Sequence, residues 1–360
     1  MFKKIVCSCL MVALMVTLFV SSSEKSTAAS GNIYYVSIDG SDTNPGSLAE
    51  PFLTIQKCAD IASAGATCYI RGGTYRETVV PGFSGTAGEP ITFASYEGEK
   101  VVVSGADLIP STWTPHSGTT YKTTPPITNL GLGRNQLFMD GQMMTEAQWP
   151  NTSLDISHPN VSRAQAASDT AGTNGLRSGL IQDEELPFQA NEINGAMIRF
   201  GAGPVWVMQS GTVNGTTSGQ LTFDFKLTYG LASGNPYYLI GKLALLDAPS
   251  EWVYDSSNSM LYLQTTNQDL PSAHTIEMKQ RQYAFNLGGR SYIHVRGLHI
   301  FAASIYSDLT TQYCEIDQIE AKYVSHNMVS DQNPWSKGLE DTGLILNGTF
   351  NKLQNSKIAK

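Results

Sequence analysis

Six acidic residues crowd the C-terminal part of this chain: Glu315, Asp317, Glu320, Asp331, Glu340 and Asp341. Carboxylates in pairs have a defined chemistry. Held about 5–5.5 Å apart, or about 6.5–9.5 Å apart with one kept protonated, they hydrolyse glycosidic bonds. A single base beside a cation or Ca²⁺ instead removes a carbon-bound proton and drives elimination from a uronate. Asp317 and Glu340 lie 23 residues apart, a spacing that suits equivalent positions on successive coils of a repeating fold. They form the candidate catalytic couple. The competing reading makes them solvated outward positions of strands and turns. His326 follows Tyr323 closely enough to line the same groove, or to sit in a turn as an exposed residue. Trp149 and Glu146 form a second candidate group, a ring face for stacking and an acceptor for hydroxyls. Packing at the edge of a sheet is the alternative for Trp149. There is no Walker loop, no GxGxxG, no nucleophile-elbow serine and no metal motif. The Asp39–Asn44 region is rich in oxygen ligands but lacks a recognisable Ca²⁺-loop spacing.

The elements that must hold these groups begin at residues 32–80, NIYYVSIDGSDTNPGSLAEPFLTIQKCADIASAGATCYIRGGTYRETVV. Residues 33–38 alternate as a half-buried strand does, and 40–46 are turn chemistry. Thr54 is placed to cap a helix over 55–64, and Ala64-Gly65 ends it. Thr67, Tyr69 and Ile70 begin a strand that Gly72-Gly73 breaks. A strand, one helix and short glycine-punctuated strands describe the sealed end of a β-solenoid. Arg71, Arg76 and Glu77 read as structural, through Arg–Glu pairing near this cap. Cys58 on the helix and Cys68 at the start of the next strand can form a disulfide, or remain two small buried thiols; Cys314 is left for a core stack.

The first 29 residues carry Lys3 and Lys4, then an apolar run over 5–20, then small polar residues. This is a signal peptide, with cleavage after Ala28 or Ala29, and it predicts a secreted, extracellular protein with no membrane association after cleavage. Net charge is −8, from 23 basic and 31 acidic residues. That balance excludes nucleic acid as a partner and disfavours a strongly anionic polymer.

After Ala106 the short-coil rhythm stops. Asp140-Gly141 between apolar runs marks a hairpin, and 252–254 with 260–264 marks another. Residues 152–183 read as a long polar loop. The rhythm returns near Tyr283, with Ile293, Val295 and Leu298 as core positions and Ile316 about 23 residues after Ile293. Asn347, Asn351 and Asn355 suit a stacked asparagine ladder. The domain reading is therefore 1–29 signal peptide, 30–106 cap and first coils, 107–285 an inserted β-rich unit, and 286–360 resumed coils. No sealing element follows the last strand pattern, which implies a solenoid truncated at its C-terminus.

The pattern Y-Y-V-S-x-x-G-S-D-x-N-x-G-S…P-F-x-T-I-Q…Y-I-R-G-G-T-Y-R-E resembles the N-terminal cap and first coil of the pectate-lyase-like right-handed parallel β-helix superfamily. LFMDGQMMTEAQWPN at 137–151 and LLDAPSEWVYDSSNSMLYL at 245–263 resemble segments of secreted β-helix glycoside hydrolases that carry a β-sandwich insert. Gln148 replaces the usual arginine and Ser250 the usual glycine. The resemblance implies an all-β fold, a β-helix with a cap helix and an inserted antiparallel unit. It implies a glycoside hydrolase acting on a polysaccharide or oligosaccharide by paired carboxylates, with catalytic acids on coils further along than Lys360. A polysaccharide lyase, which would use Ca²⁺, and a non-catalytic glycan-binding or surface solenoid stay open. For a hydrolase no cofactor is implied.

Overall fold

The computed structural model describes residues 31–110, 112–151, 160–205, 207–226, 229–324 and 343–359. Residues 1–29, read as a signal peptide from the sequence, and His326, Glu340, Asp331 and Asp341 lie outside the described residues. The chain opens with β1 (Ile33–Val36), α1 (Ile55–Ile61), β2 (Thr67–Ile70) and β3 (Gly73–Tyr75). Thr54 caps α1, its Oγ1 accepting from the Lys57 N–H. Two further N–H groups at the helix start, of Ile55 and Gln56, donate to the Glu77 carboxylate at 2.9 and 2.8 Å, a negative charge where the helix dipole favours one. The helix is three residues shorter at its end than the sequence suggests, because Ala62 is already extended. Ile55, Cys58 and Ala59 face the core. A disulfide joins Cys58 to Cys68 and so ties α1 to β2. The turn before α1 is organised by Asp42, which accepts from the N–H groups of Leu53 and Thr54 and from the Thr54 hydroxyl. The oxygen-rich run at 39–44 thus serves the cap.

Beyond the cap, three parallel sheets wind into a right-handed β-helix. The first contains β1, β2, β4 (Ile91–Ser95), and strands Ile293–Arg296, Glu315–Asp317 and Lys352–Gln354. The second contains β3, β5 (Val101–Ser104), His299–Phe301, Glu320–Lys322 and Lys357–Ala359. The third contains Tyr283–Asn286, Ser304–Ser307 and Ile345–Leu346. Alternation sends one row of each sheet inward, where like positions stack: Cys68, Phe93, Val295, Ile316 and Leu353 in the first sheet, and Tyr75, Val103, Ile300, Ala321 and Ile358 in the second. The coil step differs from the spacing expected from sequence. Val295, not Ile293, pairs with Ile316, 21 residues on, and Ile293 pairs back to Ile91. The next step is 37 residues, from Ile316 to Leu353.

Each corner is held by a residue with positive φ. Tyr292, Tyr313 and Phe350 occupy one corner, with φ of 55, 54 and 59°. Their rings stack at 4.8 Å, nearly parallel. This aromatic stack replaces the asparagine ladder expected there. Asn351 instead bonds backbone: its Oδ1 accepts from the Cys314 N–H at 2.9 Å, and its Nδ2 donates to the Thr311 carbonyl at 3.2 Å.

The chain leaves the second sheet after Ser104 and rejoins the solenoid at Tyr283, yet β4 pairs directly with Ile293–Arg296. The intervening residues form largely antiparallel sheets of four, five and eight strands, with one parallel pair, Thr145–Glu146 beside Glu251–Trp252. The eight-stranded sheet buries Phe200, Phe223, Phe225 and Tyr237. It also corrects the reading of 152–183 as loop. Residues 160–183 supply strands Ser162–Arg163, Ala166–Ala171 and Leu176–Gln182; Ala166–Ala171 is the sheet's edge strand and most of its residues are exposed, so much of the polarity there marks the solvent face of a sheet. Asp140-Gly141 does turn a hairpin, Leu137–Met139 against Gln142–Met143, both turn residues having positive φ. One ion pair fastens the insert to the coils, Arg76 to Glu277 at 2.7 Å, and a second, Arg281 to Asp107 at 2.8 Å, ties the insert's two ends together. Arg76 therefore does not pair with Glu77, which is committed to α1, whereas Arg71 does pair within the cap region, with Glu99. No helix among the described residues is long and apolar enough to cross a membrane.

Phe93 is fully buried between coils and meets the Phe285 ring edge-on at 5.7 Å. Phe93→Ala is expected to cost about 3–5 kcal/mol in denaturant unfolding. Replacing Cys58 and Cys68 together by serine is expected to cost about 2–3 kcal/mol in the same measurement.

Candidate functional site

Strand alternation in the first sheet sends a second row outward. In register it runs Tyr35, Tyr69, Ala94, Arg296, Asp317 and Gln354, beside a row of Thr92, His294, Glu315 and Lys352. The face is aromatic at the cap end, where Tyr96 joins Tyr35 and Tyr69 at centroid distances of 5.6 and 5.9 Å. It becomes charged further along the axis. Glu315 is ion-paired with Arg296 and accepts from the Gln354 amide at 3.4 Å. Asp317 is buried and accepts from the Asn355 amide of the next coil at 2.9 Å. His294 is half-buried, and burial holds its pKa below the ordinary value, with the Glu315 charge pulling the other way. It is therefore neutral at pH 7 and able to accept a proton. Two carboxylates, a neutral imidazole and two cations on one face can run either acid–base hydrolysis or base-assisted elimination.

The sequence candidates do not all gather here. Asp317 does; Glu340 and His326 lie outside the described residues. The spacing that coupled Asp317 to Glu340 is not a coil step, since the position after Asp317 in register is Gln354. Sequence reasoning missed His294 and Arg296 as members of the face. Their signal was the Ile-His-Val-Arg alternation itself, which was used only to locate the core.

Trp149 sits in the eight-stranded sheet, opposite Leu239, and packs on Phe188 and Tyr237 at 5.8 and 6.1 Å. Its ring is engaged in packing between strands. Glu146, three residues earlier, belongs to a different sheet, opposite Trp252. It is 6% exposed. One bond, from the Gly133 N–H, favours its charged form, but burial dominates and pushes the pKa up to about 8. Glu251, on the strand paired with that of Glu146, is also buried, with a pKa pushed up to about 7. The contrast lies in satisfaction. The carboxyl of Glu251 accepts from the N–H groups of Gln148, Asp247 and Ala248, and so knits the insert. Glu146 has an oxygen, Oε2, with no hydrogen-bond partner. Among the described residues no group of three or more His, Cys, Asp or Glu side chains is placed to hold a metal ion.

No family profile matches the chain. Over 79 residues it is 49% identical to the uncharacterized protein YwoF of Bacillus subtilis, a match covering 22% of this chain and 17% of that protein. Over 76 residues it is 46% identical to the pectate lyase PEL9 of Emericella nidulans, covering 21% and 18%. A solved structure described as a glycoside hydrolase superposes with a TM-score of 0.58 at 17% identity, over 75% of this chain and 50% of that one. The chain is related to the pectate-lyase-like β-helix superfamily. Within that superfamily relationship the matched segments span less than a fifth of either curated relative, and the solved structure shares the β-helix fold.

Glu146 gives a pH test. Its folded pKa, about 8, stands above the ordinary 4.5. The stability associated with its protonated form is fully present below pH 4.5 and is lost as pH rises through about 8. Glu146→Gln is expected to leave the thermal midpoint nearly unchanged at pH 4 and to raise it relative to wild type at pH 9, by differential scanning calorimetry.

Proposed function

We propose that this chain belongs to a secreted glycoside hydrolase that acts on a polysaccharide or its oligosaccharides, exported by the segment 1–29. The observation that carries the reading is the pair Glu315 and Asp317, side by side on the outward face of one strand. Backbone positions two apart on a strand repeat about every 6.7 Å, a spacing compatible with the wider carboxyl separation that admits a water. Arg296 fixes the direction of one carboxylate and Asn355 that of the other. The tyrosine cluster at the cap end of the same face offers rings on which a sugar can stack. The superposition on a structure described as a glycoside hydrolase agrees with this reading at the level of fold.

A second reading, elimination from a uronate polymer, draws on the 46% identity to a protein named pectate lyase. Arg296 and Lys352 supply cations on the same face, and His294 a neutral base. Any Ca²⁺ used by a lyase would need further ligands than the described face provides, so no step is assigned to it.

Incubation with xylan, pectate and related polysaccharides decides between the readings. The hydrolase releases reducing sugar without the ultraviolet absorbance of an unsaturated product, and that absorbance selects the lyase. Glu315→Gln and Asp317→Asn are each expected to lower kcat by about 100-fold or more. Glycan binding without turnover by the whole protein would make the solenoid a binding module.

A further inference from the structure

A cleft of about 310 Å³ opens in the inserted unit, lined by Asn129, Glu146, Glu192, Lys242, Tyr254 and Asp255 among others. Nothing in the chemistry of the solenoid face uses it. Two of its acidic side chains are already engaged. Glu192 accepts from the Gln189 N–H at 2.8 Å, and Asp255 accepts from the Ser257 N–H and hydroxyl. Glu146 differs, a side chain more than nine-tenths buried whose Oε2 has no hydrogen-bond partner. Leaving such an atom unpaired is unfavourable, and a bound group can recover that cost.

The chemistry of that group is constrained. A hydroxyl both donates and accepts, so it complements this carboxyl whether or not the carboxyl carries its proton. A uronate or phosphate would face three acidic side chains and only Lys242 as a counter-charge among the described lining residues. A metal ion would find no cluster of three ligands. The volume is at the small end for ligand sites and suits one ring rather than a chain. We propose that this cleft is a subsite for a single uncharged sugar residue, anchored by a hydroxyl hydrogen bond to Glu146. The proposal rests on the carbohydrate-active reading above and adds to it a site outside the solenoid face.

The test is calorimetric titration of the full chain with D-xylose, D-glucose, D-galactose and D-galacturonate. A neutral sugar should saturate one site. Glu146→Leu should weaken that binding by about tenfold or more, whereas Glu146→Gln, which keeps a donor and an acceptor, should stay within about threefold. Ser256→Trp, an exposed rim position, should weaken it by obstruction and supplies the test if Glu146→Leu does not fold. The proposal is overturned if no neutral sugar saturates, if these substitutions leave binding unchanged, or if galacturonate binds as tightly. Polysaccharide turnover without saturable binding in the cleft removes the subsite and leaves the hydrolase. Glu146-dependent binding in a protein that turns nothing over keeps the subsite and removes the hydrolase.

Discussion

The parallel ladder between β4 and Ile293–Arg296 is the interaction on which the rest depends. It joins residues about two hundred positions apart, Phe93 to Val295, and makes two pieces of chain into one solenoid. Without it the inward stack breaks between its second and third members, and the outward acids lose the aromatic face they continue. The closure is physically cheap, because loop-closure entropy grows only with the logarithm of loop length. The inserted sheets also bury a core of their own, so most of the cost of ordering them is met locally. The ion pair across the junction, Arg76–Glu277, then helps to orient a unit that already holds itself together, its two ends tied by Arg281–Asp107.

Carboxylates in this molecule divide by how fully their oxygens are used. Asp42, Glu77 and Glu251 accept backbone N–H groups and act as fixed points for turns, a helix start and a strand junction. Asp183 does the same for side chains, taking the hydroxyls of Ser162 and Tyr237 at 2.6 Å each. Glu146 is buried as deeply as these but is left with spare accepting capacity, and Glu315 and Asp317 project from a sheet face. A buried acid with its bonds filled is architecture; one with a bond to give invites chemistry or binding.

The cap was legible in the sequence because its signals are local. Thr54, Asp140-Gly141 and the Cys58–Cys68 pair each depend on a few neighbouring residues, and the structure contains the helix start, the hairpin and the disulfide, though the helix ends before Ala64-Gly65. The coil steps were not, since 21 and 37 residues separate successive members of one stack and a repeat that varies leaves no single period to detect. The strands within 160–183 were hidden by polar side chains on an exposed sheet. Of the site, Asp317 was named for its type, but its partners were not, because register decides which of His294, Arg296 and Gln354 lie beside it, and register is a long-range property. Trp149 was left between two readings for a similar reason: a ring that can stack on sugar can equally fill a gap between strands, and its neighbours Phe188 and Tyr237 show the packing.

The inserted unit leaves the solenoid at a corner. It departs after Ser104 and returns to the third sheet at Tyr283. Its hairpin packs back on that corner, Phe138 lying 5.3 Å from Tyr323. New length can thus be spliced in at one edge and elaborated freely, while the corner of Tyr292, Tyr313 and Phe350, where each ring lies on the next, keeps its metric.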